Sequence, residues 1–196
     1  MAPQLYLITP ATAQADSFPA SLAAVLDAAE FSAILVHRAA QDDIAYAQLV
    51  KAVIKVGQGA GCAVLVEDDV ALAKRMGADG VHVTGDAKAV KAAIAALKPG
   101  LIVGAGPITT RHDAMTVGEL DIEYLQFGNL DDAPDAAAVE LTEWWAPTFE
   151  IPAVLHAPGA TDAHGAEFFA CGPALWSAAS PPEAARALAA SLEDAQ

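Results

Sequence analysis

The sequence has few cysteines, few basic residues and no long apolar run. Cys62 and Cys171 are the only cysteines in 196 residues, and both fall in apolar stretches. This excludes a disulfide framework and a zinc-ligand spacing, and it predicts two reduced core thiols. No apolar run approaches the length of about 18 residues that spans a membrane, and the first residues lack a basic region followed by an apolar stretch. We therefore expect a soluble, cytoplasmic protein without a membrane partner.

Basic residues are scarce, with 10 against 25 acidic residues and a formal net charge of −15. A negative net charge repels nucleic acid and anionic membranes and therefore opposes binding to them. A phosphorylated small molecule is not excluded, because a bound Mg²⁺ or the amides at a helix N-terminus can neutralise a phosphate locally. A small phosphorylated or heterocyclic ligand and a homo-oligomer therefore remain open as partners.

The chain is 55% hydrophobic, which is enough for one core, and we expect a single domain over residues 1–196. Apolar runs of strand length recur along it. The runs are 5–9, 33–37, 62–66, 80–83, 101–104, 123–127, 152–156 and 167–171.

Segments with helical spacing lie between these runs. The segments are 21–30, 43–56, 70–76, 87–97, 112–118, 136–145 and 182–192. Residues 157–165 are too few and too rich in glycine and proline for a full helix. The alternation predicts an α/β fold, a compact (β/α)8 TIM barrel, with an open doubly wound sheet as the alternative.

Residues 64–86 contain a complete βαβ unit. An apolar strand ends in Glu67 and Asp68, a helix follows, and a second strand ends near Asp86. The carboxyl ends of parallel strands lie at the same edge of the sheet, so these carboxylates should lie near each other. In βα barrels the active site is at that edge. Carboxylate oxygens are ligands for Mg²⁺, so these strand ends predict a Mg²⁺ or substrate site, with Asp68 and Asp86 as the candidate metal ligands.

Three histidines also lie at or near predicted strand ends: His37, His82 and His156. Imidazole suits transition metals, and these rings with Asp68 and Glu67 could form such a site in a different barrel enzyme. The other interpretation is that each histidine is a separate hydrogen-bonded side chain.

Five segments, in this order, resemble the strand signatures of the thiamine phosphate synthase and thiazole tautomerase family. They are LYLIT at 5–9, LVEDD at 65–69, GADGVHV at 77–83, IVG at 102–104 and YLQFG at 124–128. The most specific is GADGVH. The resemblance implies a βα-barrel transferase of thiamine biosynthesis that joins hydroxymethylpyrimidine diphosphate to thiazole phosphate. Pyrophosphate is released with the assistance of Mg²⁺.

The resemblance also implies site residues. Asp68 corresponds to a Mg²⁺-binding aspartate of the family, and Asp86 lies beside the second one. The implied substrate-binding residues are His37, Arg38, Glu67, Gly104, Gly128, Asn129, His156 and Gly172. No catalytic residue is implied.

The chain departs from the family in several loops. Glu67 stands where the family has asparagine, the segment NLDDAPD at 129–135 is acidic where the family has a threonine- and lysine-bearing loop, and Ala157-Pro158 replaces paired glycines. These changes predict a divergent member in which diphosphate transfer is eroded. The alternative is a non-catalytic paralogue that binds a small molecule.

Overall fold

The computed structural model describes residues 2–131 and 135–194 of the chain. Its strands are all parallel and pair in sequential order into a closed barrel. The strands are β1 (Gln4–Ile8), β2 (Phe31–Val36), β3 (Ala63–Glu67), β4 (Gly80–Val83), β5 (Ile102–Ile108), β6 (Tyr124–Phe127), β7 (Ala153–Leu155) and β8 (Phe168–Cys171). The closed order confirms the predicted TIM barrel and excludes the open sheet.

Helices connect most of the strands. They are α1 (Phe18–Leu26), α2 (Asp43–Gly59), α3 (Val70–Met76), α4 (Ala87–Leu97), α5 (Arg111–Gly118), α6 (Ala136–Trp145), α7 (Pro173–Ser177) and α8 (Pro181–Asp194). As the sequence predicted, residues 157–165 form no helix. No helix in the described part of the chain is both long enough and apolar enough to cross a lipid bilayer.

Three helices, α3, α4 and α6, begin and end at the predicted residues, and each begins after an aspartate cap. Asp69, Asp86 and Asp135 each accept at least one backbone N–H from the first turn of the helix that follows. A side-chain oxygen at this position satisfies a donor that would otherwise have no partner. Local side-chain chemistry therefore fixes these boundaries.

The strand alternation divides the core into two layers. Outward-facing strand residues such as Val64 pack with Tyr46 and Leu49 of α2. The inner cluster fills the barrel with Tyr6, Ile8, Ala33, Leu35, Leu65, Tyr124, Leu130, Val154 and Ala170. Leu130 comes from the segment after β6, and it is only 8% exposed. It therefore packs into the barrel from the carboxyl end of the strands.

The prediction that the fifth strand ends at Gly104 is wrong. The strand continues to Ile108, and its pairing with β6 shifts register between Ala105 and Ile108. This irregularity accommodates Pro107, which has no N–H to donate to the ladder. Gly104 consequently lies inside the barrel, where a Cβ would come within 2.0 Å of the Tyr124 ring.

Candidate functional site

The second strand sends His37, and not Arg38, toward the barrel. Leu35 belongs to the inner cluster, whereas Val36 belongs to the outer layer. Since side chains alternate along a strand, His37 follows Leu35 to the inner face. Its backbone N–H donates to Oγ1 of the buried Thr9 at 3.0 Å. The end of β2 is thereby tied to the end of β1.

His37 is paired with Glu67 at the end of β3. The distance from Nδ1 to Oε2 is 2.7 Å, and the same oxygen accepts the Arg38 backbone N–H at 2.7 Å. Burial raises the pKa of Glu67, but the hydrogen bonds from His37 and the Arg38 amide outweigh it, so the pKa lies below its usual value. Glu67 is therefore ionised at neutral pH, and His37 Nδ1–H is the donor to it.

The side chain of Arg38 lies on the outside of the barrel. Its guanidinium pairs with Asp43 and stands 5.3 Å from the centroid of the Tyr46 ring. Tyr46 in turn donates to the carbonyl of Val36 at 2.7 Å. The structure therefore does not bring the Arg38 side chain to Glu67 and His37. Only its backbone amide reaches them.

Asp68 is held at the junction of β3 and β4. Its carboxylate accepts the Thr84 backbone N–H at 2.8 Å and also the Thr84 hydroxyl. Its own N–H donates to the carbonyl of His82 at 3.0 Å, and its φ of 52° is in the left-handed region. A non-glycine residue keeps that conformation only where its surroundings impose it. The carboxylate is thus fixed at the carboxyl end of the strands.

Asp86 has a different environment. Its Oδ1 accepts the N–H groups of Lys88 and Ala89 at 3.1 and 3.0 Å, which caps α4. Within residues 2–131 and 135–194, no three His, Cys, Asp or Glu side chains are grouped as a metal centre. Magnesium is nevertheless commonly held by one or two carboxylates together with substrate phosphates, and Asp68 fits that role.

A chain of polar side chains runs through the barrel. Tyr6 and Tyr124 hydroxyls lie 2.9 Å apart, and the Tyr124 hydroxyl lies 2.8 Å from His82 Nδ1. Both tyrosine hydroxyl protons find an acceptor if Tyr6 donates to the Tyr124 oxygen and Tyr124 donates to His82 Nδ1. In that arrangement the proton of the neutral imidazole is on Nε2. Burial lowers the pKa of His82 to about 4, although the nearby Glu67 and Asp68 charges oppose this. His82 is therefore neutral at physiological pH.

Two buried polar atoms remain near the end of this chain. Among the described residues, His82 Nε2 and Gln126 Oε1 have no hydrogen-bond partner. Oε1 lies 2.6 Å from the position that a Cβ of Gly106 would take. His82 thus belongs to the barrel interior, which argues against a transition-metal site built on His37, His82 and His156.

The opposite side of the mouth is formed by the ends of β6, β7 and β8. Gly128 has a φ of 91°, and a Cβ there would come within 2.0 Å of the His156 carbonyl oxygen. His156 Nδ1 is hydrogen-bonded to the Asn129 carbonyl. A Cβ on Gly172 would lie 3.3 Å from His156 Nε2. The predicted residues Gly128, Asn129, His156 and Gly172 are therefore neighbours.

The acidic loop after β6 is described only in part. Asp135 caps α6 by accepting the Ala137 N–H at 3.1 Å. Asp132, which contributes to the predicted acidic character of this loop, lies outside the described residues.

Sequence reasoning missed several residues of this region. Tyr6, Tyr124 and Gln126 are buried side chains on the inner face, and Thr9 is a buried hydroxyl at the end of β1. None of the four was proposed as a site residue. Tyr124 and Gln126 are two positions apart, as inner-face residues of a strand must be. That spacing in the sequence could have identified Tyr124 and Gln126 as residues of the inner face.

The closed barrel defines a (β/α)8-barrel protein, and polar groups lie at its carboxyl-terminal mouth, where barrel enzymes place their sites. The family model "Thiamine monophosphate synthase" matches residues 5–180. The chain belongs to this family. It is a thiamine phosphate synthase-like protein, which confirms the resemblance found in the sequence.

Two relatives agree with this assignment, and one solved structure agrees with the fold. The thiamine-phosphate synthase of Hyphomonas neptunium is 34% identical over 93% of this chain and 90% of that protein. That of Erythrobacter litoralis is 32% identical over 89% of this chain and 88% of that protein. The thiamine phosphate pyrophosphorylase of Pyrococcus furiosus superposes with a TM-score of 0.79 at 20% identity, covering 97% of this chain and 96% of that chain.

Proposed function

We propose that this chain is a transferase of thiamine biosynthesis that joins hydroxymethylpyrimidine diphosphate to a thiazole acceptor and releases pyrophosphate. The observation that carries the proposal is the carboxylate of Asp68, fixed by Thr84 at the mouth of a barrel that belongs to the thiamine monophosphate synthase family. We also propose that the protein acts in the cytoplasm, which is the location expected from its sequence.

The charge of the donor explains why Asp68 needs a cation. Two unit charges 4 Å apart at an intermediate dielectric interact by about 4 kcal/mol, so a carboxylate next to a diphosphate is unfavourable by itself. When bound, Mg²⁺ would neutralise charge on the departing diphosphate. Asp68 offers it a fixed carboxylate, and the substrate phosphates complete the oxygen shell.

The neighbouring Glu67 does not need the cation. Its charge is already balanced in part by His37 and by the Arg38 amide. Pairing with Glu67 and the hydrogen bond to Thr9 hold the His37 backbone and ring in one place. These contacts orient His37 as a substrate-binding group at the mouth.

A non-catalytic protein that binds a small heterocycle is the second candidate. The packing of Leu130 into the inner cluster favours it, because that side chain occupies space at the end of the barrel. The acidic sequence of residues 129–135 points the same way, since it offers no cation to a diphosphate.

A steady-state assay of product formation tests the proposal. It uses the purified protein with hydroxymethylpyrimidine diphosphate, thiazole phosphate and Mg²⁺. We expect turnover below the range of about 1 to 10³ s⁻¹ that is typical of enzymes. Asp68→Asn should lower kcat/KM by about 10²-fold, the usual loss when one group that stabilises developing charge is removed.

Asp69→Asn is the matched control for this substitution. Asp69 is the next residue, and its carboxylate accepts the Leu72 N–H at 2.8 Å to cap α3, a role that asparagine can take over. Its activity should equal that of the wild type. Absence of product under all conditions would instead favour the binding protein.

A further inference from the structure

Both carboxylate oxygens of Asp68 are hydrogen-bonded to the same residue, Thr84. Oδ1 accepts the Thr84 backbone N–H at 2.8 Å, and Oδ2 accepts the Thr84 hydroxyl. The carboxylate of Asp86 is bound differently, because both N–H groups that it accepts donate to Oδ1. Thr84 therefore holds Asp68 with two donors at once, in the way that an arginine holds a carboxylate.

This pair of hydrogen bonds determines which side of the Asp68 carboxylate stays open. An ionised carboxylate has about four lone-pair sites, two on each oxygen. The two donors belong to one residue, so they contact the edge of the carboxylate at which its oxygens are neighbours. A metal ion that binds a carboxylate through both oxygens occupies that same edge. A cation at the outer side of Asp68 can contact one oxygen only.

The backbone keeps the Asp68 carboxylate in this orientation. Its N–H donates to the His82 carbonyl at 3.0 Å, and its φ of 52° lies in the left-handed region. The preceding residue, Glu67, is paired in register with His82 across β3 and β4. Asp68 and Thr84 are therefore attached to two adjoining strands of the barrel, and neither residue turns away independently.

The carboxylate is nevertheless accessible and keeps its charge. Asp68 and Thr84 are both exposed. In the part of the chain that the structure describes, no lysine, arginine or histidine forms an ion pair with Asp68. Thr84 supplies two neutral donors, which orient the negative charge without cancelling it. A cation from solvent can therefore reach the outer side of the carboxylate.

Magnesium and calcium differ in what they require of a carboxylate. Ca²⁺ takes about six to eight oxygen ligands and often binds a carboxylate through both oxygens. Mg²⁺ is smaller, takes six ligands in a strict octahedron, and is commonly held by one or two carboxylates with water and substrate phosphates. A carboxylate that offers one oxygen at a time meets the requirement of Mg²⁺ and deprives Ca²⁺ of a ligand.

We propose that Thr84 is a positioning residue that makes the mouth select Mg²⁺ over Ca²⁺ when a diphosphate is bound. Its hydroxyl closes the edge of Asp68 through which a larger cation would bind both oxygens. This inference rests on the proposed function for the role of Asp68 as the ligand of the cation. Thr84 acts through Asp68 and contacts neither the cation nor the diphosphate.

Titration calorimetry of the full-length protein with pyrophosphate tests the selectivity. The titration is made at equal free concentrations of Mg²⁺ or Ca²⁺, below the solubility limit of the calcium salt, and is corrected for association of the ions in solution. The wild type should bind pyrophosphate at least about tenfold more tightly with Mg²⁺, a difference of about 1.4 kcal/mol. Equal affinity with the two cations, tighter binding with Ca²⁺, or no binding with Mg²⁺ overturns the inference.

Thr84→Val removes the hydroxyl and keeps the shape of the side chain at an exposed position. The ratio of the two affinities should fall at least about threefold, because Ca²⁺ gains access to both oxygens of Asp68. Thr84→Ser keeps the hydroxyl and should keep the ratio of the wild type. Thr84→Ala also removes the hydroxyl, and it should lower the ratio in the same way if the valine variant does not fold.

Thr116→Val is the matched control. Thr116 is exposed on α5, and its hydroxyl donates to the His112 carbonyl at 2.8 Å, so the same change is made away from Asp68. Its ratio should equal that of the wild type. An unchanged ratio in Thr84→Val, or an equal loss of affinity with both cations, would show that the Thr84 hydroxyl does not set the selectivity. An equally lowered ratio in Thr84→Ser would also overturn the inference.

An assay of product formation separates this inference from the proposed function. A ratio that Thr84→Val lowers and Thr84→Ser retains, without product from the wild type, supports the inference as a binding property and overturns the transferase. Product formed by the wild type, together with a ratio that Thr84→Val leaves unchanged, supports the transferase and overturns the inference.

Discussion

His82 is a neutral histidine buried among two tyrosines, and its charge state links barrel stability to pH. Its pKa is lowered from 6.5 to about 4 by burial. The unfolded chain therefore binds a proton at a pH where the folded protein does not. The stability is fully present above pH 6.5 and is lost as the pH falls from 6.5 toward 4.

We predict that this histidine destabilises the barrel by up to about 3 kcal/mol between neutral pH and pH 4. Urea unfolding at a series of pH values measures the loss. His82→Gln removes the titrating group and should flatten the profile in that window. If the wild type and His82→Gln lose stability in parallel, other groups control the acid response.

Gly104 is required for the same tyrosine and histidine chain. A Cβ at this position would come within 2.0 Å of the Tyr124 ring, whose hydroxyl is hydrogen-bonded to His82 Nδ1. Gly104→Ala should destabilise the protein by about 1 to 3 kcal/mol, the usual cost of overpacking a core. Urea unfolding measures this change.

Gly59→Ala is the matched control for Gly104→Ala. Gly59 is the last residue of α2, and a Cβ there would meet nothing within 4 Å. Alanine should be neutral or slightly stabilising at this position, since it reduces the freedom of the unfolded chain. Equal destabilisation by both alanine substitutions would show that the space around Tyr124 is adaptable.

At the scale of elements, the N-cap of α4 gives a prediction about Asp86. Its carboxylate accepts two backbone N–H groups of the first turn. Asp86→Ala should cost about 1 kcal/mol of stability, whereas Asp86→Asn should cost little, because asparagine caps a helix equally well. Chemical unfolding of both variants distinguishes them.

The same pair of variants examines the predicted metal role of Asp86. A residue that only caps α4 would affect stability and leave magnesium affinity unchanged. Weaker Mg²⁺ binding by Asp86→Asn, at normal stability, would show that the second carboxylate is a ligand as the sequence predicted.

The accuracy of the sequence prediction differs between elements for identifiable reasons. The helices with an aspartate cap were predicted to begin at the correct residue, since the cap is a local signal. The end of β5 was placed too early because Gly106-Pro107 resembles a turn. No bounds were predicted for α7, because five residues carry almost no periodicity. Predictions from local sequence patterns fail where a β-bulge or a single helical turn determines the bounds of an element.

The sequence predicted which residues lie at the strand ends of the site, but it did not predict which of them contact one another. Asp68, Glu67 and His37 were expected at the mouth because they follow apolar runs. The pairing of His37 with Glu67, and of Tyr124 with His82, joins residues 30 and 42 positions apart. Such contacts depend on strand register and on the closure of the barrel, which no local pattern specifies.

At the scale of the whole molecule, the net charge of −15 opposes the binding of any anionic donor. The mouth adds Glu67 and Asp68 to this field. A diphosphate can therefore bind only with a counter-charge. This makes the affinities for the cation and for the anion depend on each other.

We predict that Mg²⁺ and pyrophosphate bind cooperatively. Magnesium should bind weakly to Asp68 without an anionic ligand, and more tightly when pyrophosphate completes its oxygen shell. Because coupling between two ligands is reciprocal, Mg²⁺ must strengthen pyrophosphate binding by the same factor, of about 5- to 150-fold for typical couplings. Titration of each ligand with and without the other, corrected for their association in solution, measures that factor.

Asp68→Asn should bring the coupling factor close to one, because the neutral amide removes the charge that brings the cation to the mouth. Asp69→Asn, which alters a neighbouring cap, should retain it. If Asp68→Asn keeps the full coupling, the cation is held elsewhere and the role given to Asp68 is wrong. A net charge of −15 would then have to be overcome by groups outside the strand ends that the family signature identifies.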